Sequence, residues 1–99
     1  ADSWVHHPNR TWPKGAKIDL LLDLPDNTLK LIEIKFSNEP FTITKSYAEN
    51  LRNKIGTFRD VTGTRKNLFL DFLTMYGVTQ NVYAKELVDR EIITDQLFI

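Results

Sequence analysis

The chain has 99 residues, of which 41% are hydrophobic, and its 13 basic residues balance 13 acidic ones. This length and apolar content predict one small globular domain, and the zero net charge supplies no overall field that would attract nucleic acid, so any DNA contact needs a local basic patch. The lack of cysteine excludes disulfides and thiolate zinc sites, and no apolar run approaches the roughly 20 residues of a membrane span. We therefore expect no membrane partner and a cytoplasmic location.

The first third of the chain predicts three β-strands. Residues 3–7 form a short candidate strand, and residues 16–24 and 29–36 are two longer apolar runs. Residues 25–28 between these runs are turn-forming, so we expect the two runs to make a β-hairpin. The last of the three strands has alternating side chains, with Glu33 and Lys35 on one face.

The length of the hairpin loop decides which face carries Asp19. A two-residue loop would put Asp19 and Glu33 on opposite faces of the hairpin. A three-residue loop, residues 26–28, puts them on the same face and pairs Asp19 with Lys35. Because Asp-Asn without a following glycine is a poor two-residue turn, we expect the three-residue loop.

Asp19, Glu33 and Lys35 together are the minimal set for metal-dependent phosphodiester cleavage. Two carboxylates can hold Mg²⁺ or Mn²⁺, since such cations prefer oxygen ligands. The bound cation lowers the pKa of a water molecule, and the lysine ammonium supports that water or the developing charge. The alternative is structural, because the same spacing is typical of the solvated face of an antiparallel strand. In either case we expect Ile32, Ile34 and Phe36 to point into the core.

One long helix is predicted from Lys45 to Thr62, with Gly63 as its left-handed C-terminal residue. Ser46 and Glu49 have the spacing of an N-terminal capping box. An apolar stripe at helical spacing predicts the buried side. Its members are Tyr47, Leu51, Ile55 and Phe58.

Three basic residues, Lys45, Arg52 and Arg59, are seven apart and align along one flank of this helix. Such a row can follow a DNA phosphate backbone. Glu49 and Asp60 lie beside it, so an ordinary solvated face is an equal alternative.

After the helix, residues 68–75 are nearly continuously apolar, which predicts a strand buried on both faces. A strand, a crossover helix and a buried strand imply a right-handed parallel unit. Asp71 interrupts the apolar run and is expected to have a structural partner. We interpret residues 87–93 as a final strand and residues 94–98 as a helical turn.

In its order of motifs the chain resembles the PD-(D/E)xK restriction-endonuclease-like superfamily. More closely, it resembles the C-terminal domain of bacterial and archaeal P-loop ATPases of the AAA type. The match rests on residues 15–23, 32–38, 51–55, 62–66 and 94–98. The chain departs from the pattern in having Ile18 before Asp19, no room for an acidic helix before the first strand, and no Gly-rich phosphate loop.

The resemblance implies an α/β fold, a restriction-endonuclease-like mixed sheet with an antiparallel hairpin and a right-handed β-α-β crossover. It implies that residues 1–99 are one nuclease-like domain, an excised C-terminal fragment of a larger ATPase. The implied function is Mg²⁺-dependent (or Mn²⁺-dependent) DNA cleavage, with Asp19 and Glu33 as metal ligands and Lys35 as the third catalytic residue. The expected partners are DNA, through Lys45, Arg52 and Arg59, and the parent ATPase domain.

Two alternatives to this enzyme remain open. The first is a catalytically inactive nuclease-fold module for DNA binding or protein docking, which the missing upstream acid and the neutral net charge favour. The second is a toxin-like or mobile-element component.

Overall fold

The computed structural model describes residues 2–11 and 15–94, and this part of the chain forms a five-stranded mixed sheet and two helices. In chain order the elements are β1 (Asp2–His6), β2 (Ala16–Leu24), β3 (Thr28–Lys35), α1 (Lys45–Thr62), β4 (Asn67–Thr74), α2 (Val82–Leu87) and β5 (Arg90–Ile93). The strands also follow chain order across the sheet. The β1–β2 and β2–β3 pairs are antiparallel, whereas β3–β4 and β4–β5 are parallel. The predicted α/β class, hairpin and parallel crossover are thus confirmed.

The hairpin between β2 and β3 has the predicted three-residue loop, displaced by one position. Leu24 pairs with Thr28, so the loop is residues 25–27, not 26–28. The backbone explains the displacement, because Asp26 and Asn27 both adopt positive φ, at 65° and 60°. Asp and Asn are the non-glycine residues that best tolerate this left-handed conformation.

The long helix α1 begins and ends where the sequence predicted. Gly63 is left-handed, with φ 66°, and its N–H donates to the carbonyl of Arg59. The predicted capping box is wrong, because the N-cap is Thr44. Its extended backbone precedes the first turn, and its hydroxyl accepts the N–H of Tyr47 at 3.2 Å.

The main core lies between α1 and the sheet face that carries the odd-numbered residues of β3. Leu51 and Phe58 of α1 are buried there with Leu31 of β3 and Phe72 of β4. Tyr47 and Ile55 are only partly buried against this core. The expectation that Phe36 points into the core is wrong, since its side chain is 59% exposed. Helix α1 covers the opposite face of the sheet from Phe36, and that covered face carries Glu33 and Lys35.

The C-terminal part contains a short helix that the sequence did not predict. Asn81 caps α2 by accepting the N–H of Ala84 at 2.8 Å, and its side-chain amide donates to the carbonyl of Ile43. The final strand therefore begins at Arg90 rather than at residue 87. Of the predicted terminal turn, residues 95–98 lie outside the described part. Neither of the two described helices is long and apolar enough to cross a membrane.

Candidate active site

Asp19 and Glu33 lie on neighbouring strands, and the hairpin register brings them together. Leu20 pairs with Ile32, so the next step of the same register sets Asp19 opposite Glu33. The predicted pairing of Asp19 with Lys35 is therefore wrong, because the hairpin loop begins one residue earlier. On its other side, β2 is irregular: Asp19 and Leu20 together oppose the single residue Ser3 of β1. Bulges of this kind bend a strand and redirect its side chains.

The Asp19 carboxylate is fixed by the backbone of β3. Its Oδ2 accepts the N–H of Ile34 at 3.0 Å, just beyond the pair formed by Leu20 and Ile32. A carboxylate that accepts a main-chain N–H has a defined orientation, because the donor belongs to the sheet itself. This hydrogen bond thus holds the Asp19 side chain against β3, next to Glu33.

Glu33 is buried, with 1% of its surface exposed, and its Oε1 lies 2.6 Å from the Nζ of Lys54 on α1. Burial raises the pKa of the Glu33 carboxyl above its ordinary value. The Lys54 ammonium opposes this change, while the charge of Asp19 and a hydrogen bond with it add to the increase. The buried Glu33 carboxyl therefore has a lysine and a second carboxylate, that of Asp19, as its electrostatic neighbours.

Lys35 is on the same face of β3 as Glu33 and is surrounded by aromatic rings. Its Nζ is 5.1 Å from the ring centroid of Tyr47 and 5.6 Å from that of Phe41. Cation–π contacts of this length favour an ammonium that faces the rings. The pKa of Tyr47 is raised, mainly by burial and further by the charges of Glu33 and Asp19. Tyr47 is thus an electrostatic neighbour of the carboxylate pair.

Of the predicted site residues, the structure places Asp19 and Glu33 on neighbouring strands and Lys35 on the same face of β3 as Glu33. Sequence analysis did not include Tyr47 or Lys54 in the site. The helical spacing predicted Tyr47 only as a member of the apolar stripe. The available signal was their seven-residue separation, which puts both on one side of a helix.

The basic row of α1 is exposed, as predicted, but two of its members have partners within the chain. Arg52 forms an ion pair with Glu86 at 3.1 Å, and both side chains are solvent-exposed. Arg59 donates to two backbone carbonyl groups just beyond the end of the helix. Lys45 lies at the first position of the helix and is exposed.

The carboxylate pair fits a hard divalent cation in ligand type and placement. Within residues 2–11 and 15–94, no third His, Cys, Asp or Glu joins the pair to make a metal-binding group. Mg²⁺ needs none, because it usually binds one or two carboxylates and completes its coordination with water and substrate phosphate oxygens. Asp19 and Glu33 are the residues that would hold such an ion.

Comparison of the chain with protein-family models, with curated proteins and with solved structures gives no match. The case for function therefore depends on the residues and their geometry.

Proposed function

We propose that this domain is a metal-dependent, nuclease-like module of the restriction-endonuclease-like fold that hydrolyses DNA phosphodiesters as part of a larger P-loop ATPase. The observation that carries the proposal is the placement of two carboxylates on neighbouring strands, with Asp19 bonded to the Ile34 N–H at 3.0 Å and Glu33 buried beneath α1. Asp19 and Glu33 would hold Mg²⁺ or Mn²⁺, and Lys35 would support the attacking water or the charge that develops on the phosphate.

The electrostatics of the pair support a cation site. Asp19 and burial both raise the pKa of Glu33 and so oppose its ionised form. Asp19 and Glu33 would hold a divalent cation, whose charge would offset this repulsion. When bound, the cation supplies Lewis acidity toward a phosphoryl oxygen and an acidified water. The domain contributes two oriented carboxylates and a nearby ammonium.

Lys54 competes with any cation for Glu33, because its ammonium already lies 2.6 Å from Oε1. The Lys54 side chain is 23% exposed, so its flexible stem has room to turn toward solvent. Metal binding is therefore expected to release Lys54 from Glu33.

The same ion pair favours a second candidate function, a catalytically inactive module for DNA binding or protein docking. Lys54 already pairs with Glu33 without a metal, so the carboxylate can serve as a contact between the sheet and α1. The two candidates differ in whether a metal displaces Lys54.

Calorimetric titration with Mg²⁺ and Mn²⁺ tests the metal site directly. We expect binding by the unmodified chain and its loss in Asp19→Asn and in Glu33→Gln. Asp23→Asn is the matched control, because Asp23 is on the same strand but pairs with Lys66 on the surface. Equal metal binding by all four proteins would exclude the proposed site.

Nicking of supercoiled DNA separates the two candidates. The enzyme should need Mg²⁺ or Mn²⁺, and its rate should fall sharply in Glu33→Gln and in Lys35→Ala. Ca²⁺ should occupy the site without supporting turnover, because its looser coordination positions the water poorly. Metal binding without any nicking, together with DNA affinity that survives both substitutions, would favour the inactive module.

A further inference from the structure

One face of the sheet is covered by neither of the described helices. Leu51 and Phe58 of α1 and Ala84 of α2 belong to a single core cluster, so both helices pack on the same side of the sheet. That covered side carries the odd-numbered residues of β3. The opposite side, which we call the open face, carries the even-numbered residues of β3 and the residues that pair with them on the neighbouring strands.

The open face is apolar and only partly buried. Six of its strand residues are half-buried leucines and isoleucines, namely Leu20, Leu22, Leu24, Ile34, Leu73 and Ile92. Phe69 in β4 is 38% exposed, and Phe36, just beyond the end of β3, is 59% exposed. Parallel strands ordinarily have both faces covered, and clustered exposed apolar side chains mark interaction surfaces. The open face thus has the composition of a surface that another element covers.

Lys17 lies at one edge of the open face. Trp4 of β1 contacts Phe58 of α1, with ring centroids 4.9 Å apart, so Trp4 points to the covered side. The next pair of these two strands, Val5 with Lys17, therefore points to the open face. Both side chains are exposed, Val5 by 48%. The apolar surface thus continues to β1 and has an ammonium group beside it.

Arg90 lies at the other edge, and the unpaired charge of the open face is positive. Asp71 pairs with Ile32 of β3 and with Arg90 of β5, so these three residues share the face. Asp71 is buried in an ion pair with Lys30, and no other acidic residue of the described strands is on this face. Lys17 and Arg90 are exposed and form no ion pair with the residues that the structure describes.

We propose that the open face binds an amphipathic α-helix of a partner protein, with its apolar side on β3 and β4 and acidic residues along both flanks. Lys17 and Arg90 belong to β2 and β5, which are three strand spacings, or about 14 Å, apart. A helix with its side chains is about 10–12 Å wide, so each of its flanks reaches one of the two basic residues.

A partner with acidic flanks fits this face better than a second copy of the chain. A two-fold dimer through the open face would bring together two sets of Lys17 and Arg90, and neither face has an exposed acid in its described strands to pair with them. Docking here is independent of the proposed function, because Glu33 lies under α1 on the covered side.

Fluorescence anisotropy with two labelled synthetic peptides tests the charge of the partner. Each peptide has about 20 residues, enough to form a helix alone, with leucine along one side. One peptide has glutamate along both flanks, and the other has lysine at the same positions. We expect the unmodified chain to bind the glutamate peptide about tenfold more tightly at low salt, and the preference to shrink as salt is added. Equal affinity for the two peptides, or no binding of the glutamate peptide, would overturn the proposal.

Charge reversal on the domain tests the same contacts from the other side. The test variant, Lys17→Glu with Arg90→Glu, changes two exposed residues of the open face. The matched control, Lys45→Glu with Lys85→Glu, changes the net charge equally at exposed positions of α1 and α2. We expect about tenfold weaker binding of the glutamate peptide by the test variant only. An equal loss in both variants would show a general charge effect and overturn the proposal.

The apolar part of the contact is tested by Phe69→Asp, which should abolish binding of the glutamate peptide. Thermal unfolding monitors whether this variant folds, and the charge-reversal variant keeps the test decisive if it does not. Methyl NMR locates the peptide on the unmodified chain, where the signals of Leu22, Leu73 and Ile92 should shift and that of Leu51 should not. Shifts confined to the side of α1 would contradict the proposal.

Sedimentation of the unmodified chain tests a second copy as the occupant. We expect a monomer at the concentrations of the peptide titration, and a dimer that Phe69→Asp dissociates would overturn the proposal. The metal experiment fails or succeeds separately. If Asp19→Asn leaves metal binding unchanged while the charge-reversal variant loses the glutamate peptide, the nuclease proposal fails and the docking site stands. The converse pair of results would remove the docking site and leave the metal site.

Discussion

Each face of the sheet buries one carboxylate against a lysine. Under α1, Glu33 lies 2.6 Å from Lys54, and on the opposite face Asp71 lies 3.2 Å from Lys30. In both pairs the lysine side chain is 23% exposed and the carboxylate at most 2%. The expected structural partner of Asp71 is thus Lys30.

The two pairs differ in what surrounds the carboxylate. Glu33 has a second carboxylate, Asp19, beside it, and that neighbour raises its pKa. Asp71 differs in that its Oδ1 has no hydrogen-bond partner among the described residues. A buried acid–lysine pair alone is therefore a structural feature, and a second acid in contact with it makes a candidate metal site.

The largest expected loss of stability distinguishes the sheet face that α1 covers from the opposite face. Leu51→Ala should lower the free energy of unfolding by about 2–5 kcal/mol, because Leu51 is fully buried between α1 and the sheet. Leu73→Ala, on the face of Asp71 and only partly buried, should lower it by less. Urea unfolding of both variants measures the difference. A loss below about 0.5 kcal/mol for Leu51→Ala would contradict the helix orientation.

Substitution of Lys54 or Lys30, one at a time, tests whether the two buried ion pairs differ in metal binding. Breaking a fully buried pair by deleting one partner costs about 3–5 kcal/mol, and the partial exposure of both lysines reduces this. Lys54→Met and Lys30→Met should therefore destabilise the fold similarly. Only Lys54→Met should tighten Mg²⁺ binding, because it removes the ammonium that competes for Glu33. Equal metal affinities in the two variants would show that Lys54 does not occupy the cation site.

The pH dependence of stability should distinguish Glu33 from an ordinary surface acid. Because its pKa is raised in the folded state, Glu33 favours folding most below its ordinary value of 4.5, and this contribution is lost as the pH rises through the raised value. The free energy of unfolding of Glu33→Gln should therefore increase relative to that of the unmodified chain across this window. Urea unfolding from below pH 4.5 to neutral measures it. A relative decrease with rising pH would mean that Lys54 outweighs burial.

The sequence predicts those parts of the fold that depend on residues close together in the chain. The bounds of α1 follow from its apolar stripe and from Gly63, and the same-face arrangement of Asp19 and Glu33 follows from the loop length. The short helix α2 has six residues, too few to show a period, and depends on the Asn81 cap.

The features that the sequence did not predict depend on how α1 docks. The alternation of side chains in β3 defines two faces but does not show which of them the helix covers. Phe36 was therefore expected in the core, although it is exposed. The pairing of Lys54 with Glu33 spans 21 positions and exists only when the helix is packed on the sheet. The site could therefore be predicted as a set of strand residues, whereas its electrostatic balance could not.

The smallest expected effect concerns Tyr47, whose hydroxyl is buried without a hydrogen-bond partner among the described residues. Burying such a group costs about 1–3 kcal/mol, so Tyr47→Phe should leave stability unchanged or increase it by up to about 1 kcal/mol. The ring remains, so the Lys35 cation–π contact should persist. Urea unfolding measures stability, with Phe41→Leu as the control that removes an aromatic ring. A loss above about 1 kcal/mol in Tyr47→Phe would show instead that the hydroxyl stabilises the folded protein.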